Sequence, residues 1–220
     1  MRRGVDAPDG RGRTGLDRVG RDLTGNPDVV VRDVEVTSDG WHVLRRTTYD
    51  RRRSDGTWTT ESRETYDRGN GATVLLHDPD RGTVLLTRQF RFPAYVNGHP
   101  DGLLLEAAAG LLDADDPETA ARRETEEELG VTIRGPLVQA FDAFMSPGSV
   151  TERLHCYVGR YAPADRVHDG GGVAEEGEDI EVVELPLADA LRMVDDGRIR
   201  DGKTIMLLQW LALQERGLRG

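Results

Sequence analysis

Cysteine is almost missing from this sequence. Its one copy in 220 residues, Cys156, excludes an internal disulfide framework and fits a reducing compartment. The neighbours Leu154, Tyr157 and Val158 predict a strand around it, and so a buried thiol rather than a nucleophile. Long apolar runs are missing too. None approaches the length of a bilayer-spanning helix, and the N-terminus holds no apolar segment of the signal-peptide kind. A cytoplasmic protein with no membrane partner is expected. Positive charge is in deficit, with 29 Lys and Arg against 40 Asp and Glu and a net charge of −11. That argues against a general binder of nucleic acid, whose phosphates call for a basic surface. It does not exclude a small anionic substrate, because a bound metal inverts the local charge.

What is present, 37% hydrophobic and 31% charged residues, describes one well-buried domain or a core with a small appendage. Residues 1–28 are rich in Gly, Arg and Asp and nearly free of apolar side chains, so they are expected to form a disordered tail. Over residues 29–66 apolar and polar residues alternate, with turn signals at Ser38-Asp39-Gly40 and Ser54-Asp55-Gly56. This pattern predicts a subdomain of roughly three narrow, heavily charged strands, which needs to lie on the rest of the chain or on a second copy of it. Residues 67–220 carry the main domain. There ATVLLHD and TVLLTRQFRF predict the central strands of a hairpin. Further strands are expected over 137–144, 154–161 and EVVELP, and helices over 187–197 and 204–216. Between them ADRVHDGGGVAEEGEDI has neither pattern and reads as a long acidic loop of the functional kind.

The rest is organised around residues 105–131, LEAAAGLLDADDPETAARRETEEELGV. They read as a short apolar strand, a loop closed by Asp115, Asp116 and Pro117, and a helix. Residues three and four apart share a helix face, so Glu124, Glu127 and Glu128 project the same way. On a water-facing helix their repulsion costs a few tenths of a kcal/mol per pair, roughly, and a solvated acidic face is the plain alternative. Aimed into a cleft, they call for a cation, and magnesium is the ion held by a few carboxylates together with substrate phosphates. Arg88 and Arg91 close the second hairpin strand, and the planar fork of arginine suits phosphate.

The stretch from Gly110 to Val131 resembles the signature of the Nudix hydrolases: Gly, five residues, Glu, seven residues, then Arg-Glu-hydrophobic-any-Glu-Glu-any-Gly-hydrophobic. Arg123-Glu124-Thr125-Glu126-Glu127-Glu128-Leu129-Gly130-Val131 matches its second half. Thr125 stands where an aliphatic residue is usual, the spacer from Gly110 to Arg123 is one residue short, and Asp116 lies near the place of the first Glu. The same shortening around a GLLD-x-D-x-P segment is a mark of the GDP-mannose pyrophosphatase branch, which is related to the ADP-ribose pyrophosphatases. The likeness continues in order through residues 66–72, Arg88-Gln89-Phe90-Arg91, Val96-Asn97-Gly98, Met145-Ser146-Pro147-Gly148, Gly170-Gly171-Gly172-Val173 and residues 199–204.

The resemblance implies an α/β fold, the Nudix α/β/α sandwich with a mixed sheet, preceded by an antiparallel sheet used in dimerisation. It implies Mg²⁺-dependent hydrolysis of the diphosphate of a nucleotide sugar, GDP-mannose first, with Mn²⁺ as a substitute ion. ADP-ribose is the alternative substrate, and a non-catalytic nucleotide-sugar sensor is the alternative class. Carried over by position, the metal ligands are the carbonyl of Ala109 with Glu124, Glu128 and Glu178. The proton acceptor is Glu176 or Glu152, Glu127 is a further ligand or supports one, and Arg123 orients the glutamates. Substrate contacts fall on Arg91, Ala109, Gly110, Leu111, Glu128, Glu152, Glu178 and Lys203. Trp41, Arg63 and Glu64 would join them from the N-terminal sheet of a domain-swapped homodimer, with Trp41 placed to stack on guanine.

Overall fold

A computed structural model describes residues 25–112, 115–173, 177–215 and 217. The tail expected over residues 1–28 therefore lies outside the described residues up to position 24. The described chain forms two compact units.

The first unit is a three-stranded antiparallel sheet, β1 (Val29–Asp39), β2 (Val43–Arg52) and β3 (Trp58–Asp67), in that order. Its outer edges are charged, while β2 buries Val43, Arg45 and Thr47 at alternate positions. Arg45 is 1% exposed and pairs with Asp67 at 2.7 Å. The other carboxylate oxygen of Asp67 accepts from Gly69 N at 3.1 Å and from the Thr151 hydroxyl at 3.2 Å. Those bonds draw residues 144–153 into this unit, and Tyr66 N donates to Ser149 O at 2.8 Å beside them. The sheet is thus backed partly by the Ser146-Pro147-Gly148 turn, which the sequence places well inside the second domain.

The second unit holds a mixed seven-stranded sheet. Strands β4 (Gly71–Asp78) and β5 (Thr83–Phe90) form the expected hairpin, but they pair with each other only from Leu76/Leu85 to the turn. Beyond that they fork. A short helix α1 (Phe92–Val96), opened by Pro93, leads into β6 (Leu103–Glu106), which pairs with β5, and β7 (Ala108–Leu111), which pairs with β4. The single strand expected before the acidic helix is therefore two strands broken at Ala107, whose N–H leaves the ladder to reach the Thr204 hydroxyl at 2.7 Å. Two buried threonines hold the fork: Thr73 donates to Ala108 O at 3.0 Å and Thr87 to Glu106 O at 3.2 Å. Strand β9 (Arg153–Arg160) runs parallel to β4, β8 (Leu137–Phe144) lies outside it, and β10 (Ile180–Pro186) covers the free side of β5.

Every residue of β4 is buried, as a strand covered on both faces must be. Helix α2 (Pro117–Leu129) packs on β4, β5 and β10. Helices α3 (Leu187–Asp195) and α4 (Gly202–Glu215) pack on each other and on β4, β5, β6 and β10. This is the α/β/α sandwich. Asp116 starts α2 by accepting from the backbone N–H groups of Glu118 and Thr119, both at 3.1 Å, with Pro117 as the first helical residue. Its position near the first Glu of the signature is therefore a helix cap. Thr125, odd for its aliphatic place, is fully buried and satisfies its hydroxyl on Ala121 O at 2.7 Å.

Candidate active site

Helix α2 buries one edge of its acidic face and leaves the other in water. Glu124 and Glu128 are 9% and 2% exposed, Glu127 is half-buried and Glu126 is exposed. The solvated acidic face is thereby excluded for two of the carboxylates. Arg123 lies along the helix with Nη1 2.8 Å from Glu124 and 3.1 Å from Glu127, and Nε 3.3 Å from Asp115. Glu128 accepts from Ala109 N at 3.2 Å.

Burial pushes the Glu124 carboxyl up to about 7, against the pull of Arg123, and Glu127 and Glu178 push the same way. Glu128 rises to about 8, chiefly through burial and then through Glu124. The two carboxyls lack enough positive charge to stay ionised together at neutral pH. Gly110 shows how closely the strand approaches them. A Cβ built there would meet the Glu124 carboxylate at 2.0 Å.

Glu178 arrives from the glycine-rich loop. Gly171 N and Gly172 N donate to Glu128 O and Glu127 O, both at 3.0 Å, and so use carbonyls that the end of a helix leaves open. Gly172 holds φ at +79°, and a Cβ on it would meet the Glu178 carboxylate at 2.4 Å. These bonds pin the loop to the end of α2 and carry Glu178 close enough to raise both buried glutamates. Its Oε2 accepts from Val173 N at 2.8 Å. Among the described residues no three His, Cys, Asp or Glu side chains converge as a ready-made metal cage. Each carboxylate instead leans on its own donor. The donor chemistry nevertheless fits a divalent cation that prefers oxygen, since two buried carboxylates, a third nearby and the half-buried backbone of β7 all offer oxygen.

A third buried carboxylate goes the other way. Glu106, 2% exposed, would be raised by burial alone, but Lys203 and Arg91 hold it down to about 2. Arg91 grips it with Nε at 2.7 Å and Nη2 at 3.1 Å, and Lys203 reaches the same Oε2 as well as Asp201 at 3.0 Å. Sequence reading overlooked Glu106 and Asp201. The signal was one charged residue in the apolar run LLLEAAAG.

The structure therefore gathers Arg91, Ala109, Gly110, Arg123, Glu124, Glu127, Glu128, Glu178 and Lys203 in the second unit. Leu111, Glu152, Trp41, Arg63 and Glu64 belong to the first. Glu152 is 10% exposed, 3.3 Å from Arg68 Nε. Trp41 is 61% exposed and sits in the β1–β2 connection, so it is not part of a packed strand. Arg63 and Glu64 line a cavity of about 700 Å³ between the sheet and residues 144–151. Glu176 lies outside the described residues. Cys156 is buried, and burial pushes its thiol up to about 12, which removes it as a nucleophile. No helix among the described residues is long and apolar enough to cross a membrane.

Comparison with known proteins adds the family. Residues 28–66 match the model of the GDP-mannose pyrophosphatase NudK N-terminal domain, and residues 67–208 match the NUDIX domain. A protein of Pectobacterium atrosepticum named GDP-mannose pyrophosphatase is 53% identical over 175 residues, 80% of this chain and 89% of that protein. One of the same name from Klebsiella pneumoniae is 50% identical over 182 residues, 83% and 90% of the two chains. A solved structure titled ADP compounds hydrolase superposes with a TM-score of 0.64 at 17% identity, covering 89% of this chain and 98% of that one, and so shares the fold. Nudix hydrolases as a family need a divalent metal, and the oxygen donors on α2 suit one. With the matched signature helix, its buried glutamates and the N-terminal sheet all in place, the chain belongs to the Nudix hydrolases and is a pyrophosphatase of that family.

Proposed function

We propose that this enzyme hydrolyses GDP-mannose to GMP and mannose 1-phosphate with Mg²⁺, Mn²⁺ being the substitute ion. The observation that carries the reading is the opposite treatment of buried carboxylates in one unit. Glu124 and Glu128 are raised chiefly by burial, whereas Glu106, equally buried, is held down by Lys203 and Arg91. The first pair suits a cation and the second set suits phosphate oxygens. The substrate is taken from relatives of 50–53% identity that carry that name.

In this reading Glu124, Glu128, Glu178 and the carbonyl of Ala109 hold the ion, which when bound supplies charge neutralisation and Lewis acidity. Arg123 keeps Glu124 and Glu127 oriented, and Glu127 supports the set. Arg91 and Lys203 bind the diphosphate beside Gly110 and Leu111. Trp41, Arg63 and Glu64 contact the substrate from the first unit of a second copy in a homodimer. Exposed Val30, Val36 and Trp58 on that sheet support such pairing. A monomer in sedimentation at micromolar concentration would remove this part. The proton of the attacking water goes to Glu176 or Glu152. Replacing the base by Gln lowers turnover by about two powers of ten or more and spares cation affinity, which separates the two. A cytoplasmic location completes the proposal.

The deciding assay is purified protein with Mg²⁺ against a panel of nucleotide sugars in ¹⁸O-water. Cleavage of GDP-mannose is expected to lead the panel. A clear preference for ADP-ribose overturns the substrate, and cleavage of none revives the sensor.

A further inference from the structure

Lys203 is the only lysine in the sequence, against 28 arginines. A chain that uses arginine everywhere else buries its one lysine, 7% exposed, at the first turn of α4. The side chain ends on Glu106 and Asp201, and Arg91, just past the end of β5, closes on Glu106 as well. Asp201 is itself occupied, accepting from the Thr204 backbone N at 3.0 Å and the Thr204 hydroxyl at 2.6 Å. The same Thr204 hydroxyl receives Ala107 N, next to Glu106. Glu106 is therefore the point at which two cations from separate elements are tied to the sheet. Arg91 spends Nε and Nη2 on it, while Nη1 makes no hydrogen bond among the described residues and the side chain stays 41% exposed.

We propose that Glu106 is a positioning residue for diphosphate recognition: one buried carboxylate on β6, beside the β4–β5 fork, fixes Arg91 and Lys203 together, with the N–H groups it leaves over directed to the substrate's phosphates. The proposal rests on the function argued above. A buried ion pair made for the fold alone would end with every donor satisfied. Here the carboxylate takes three bonds from two cations and leaves donors over on both. The compact ammonium of the lysine sits between the two carboxylates of Glu106 and Asp201. The charged neighbours of Lys203 are Glu106, Asp201 and, through Glu106, Arg91. Glu128 acts on Arg91 by its charge, and the charge of the ammonium is felt at Cys156.

Taking the negative charge from Glu106 leaves Lys203 buried beside a cation with one carboxylate, so its proton is held less tightly. A single lysine makes this directly visible, because protein labelled with ¹³Cε-lysine shows one resonance. In Glu106→Gln the titration of that resonance moves down by at least about one pH unit. KM for GDP-mannose rises roughly tenfold, kcat at pH 7 changes less, and KM climbs further as pH rises through the new Lys203 transition while that of wild type does not. Glu106→Gln combined with Lys203→Met keeps the high KM and loses the pH-dependent climb. Glu106→Asp, charged but too short to hold both cations, raises KM without the climb and decides the matter should the Gln variant not fold. An unchanged lysine titration, or a shifted one with wild-type KM, overturns the proposal. Wild-type protein that cleaves no nucleotide sugar removes the proposed function instead, and the response of the lysine resonance to added GDP then tests Glu106 alone, with no response refuting it.

Discussion

Gly110→Ala adds one methyl group at the rim of the site and nothing else. The glycine does not use a left-handed backbone, so alanine is free of torsional strain there. Its Cβ would stand 2.0 Å from two atoms of the Glu124 carboxyl group and 2.4 Å from the third. Ordinary contact begins near 3.4 Å, so the carboxylate must retreat by about 1.4 Å, the difference of 3.4 and 2.0. Glu124 has little room to do so, being 9% exposed and held at 2.8 Å by Arg123. Overpacking of this kind costs about 1–3 kcal/mol in stability. Misplacing a ligating group by about 1 Å costs roughly 10²-fold in rate. Turnover against Mg²⁺ concentration, with calorimetric titration of the cation, is expected to show weaker binding and turnover down by roughly two powers of ten. Gly135→Ala is the control, since no atom lies within 4 Å of its Cβ and its backbone suits alanine. A Gly110→Ala protein with wild-type cation affinity and turnover within threefold of wild type would refute the placement of Glu124 against β7.

The raised glutamates fix a sign for pH. An unfolded chain ionises them near 4.5, the folded cation-free protein only near 7 and 8, so the unfolded state releases protons first and stability falls as pH rises between those values. Glu128→Gln removes one such group, and the difference in Tm between variant and wild type in EDTA is expected to grow in the variant's favour from pH 5 to pH 8; a difference that stays flat counts against the burial argument. Asp67→Ala strands the buried Arg45 charge and is expected to cost about 3–5 kcal/mol in urea unfolding, with a loss below about 1 kcal/mol contradicting it. Trp41→Ala, at an exposed position, leaves stability within about 0.5 kcal/mol. It raises KM for GDP-mannose roughly tenfold if the indole stacks on the base, a contact worth about 1–3 kcal/mol, and an unaltered KM removes Trp41 from the site.

Much of this protein was legible in one dimension because its signals are local. The strand alternation, the Asp116-Pro117 start of α2 and the spacing of Glu124, Glu127 and Glu128 depend on neighbours a few residues away, and period alone reveals them. The family followed from the same run. Three things needed the folded chain. The β4–β5 hairpin forks because Thr73, Thr87 and Thr204 capture backbone groups of residues 106–108, partners up to 97 positions apart. The acidic helix is divided into buried Glu124 and Glu128 and wetter Glu127 by the depth at which α2 sits on the sheet, which periodicity cannot measure. The charge of Glu106 is decided by Arg91, 15 residues before it, and by Lys203, 97 residues after it. Sequence alone determined which side chains could do this chemistry. Burial and long-range pairing decided which carboxylates are raised and which one is held between two cations, because desolvation and charge act through space and not along the chain.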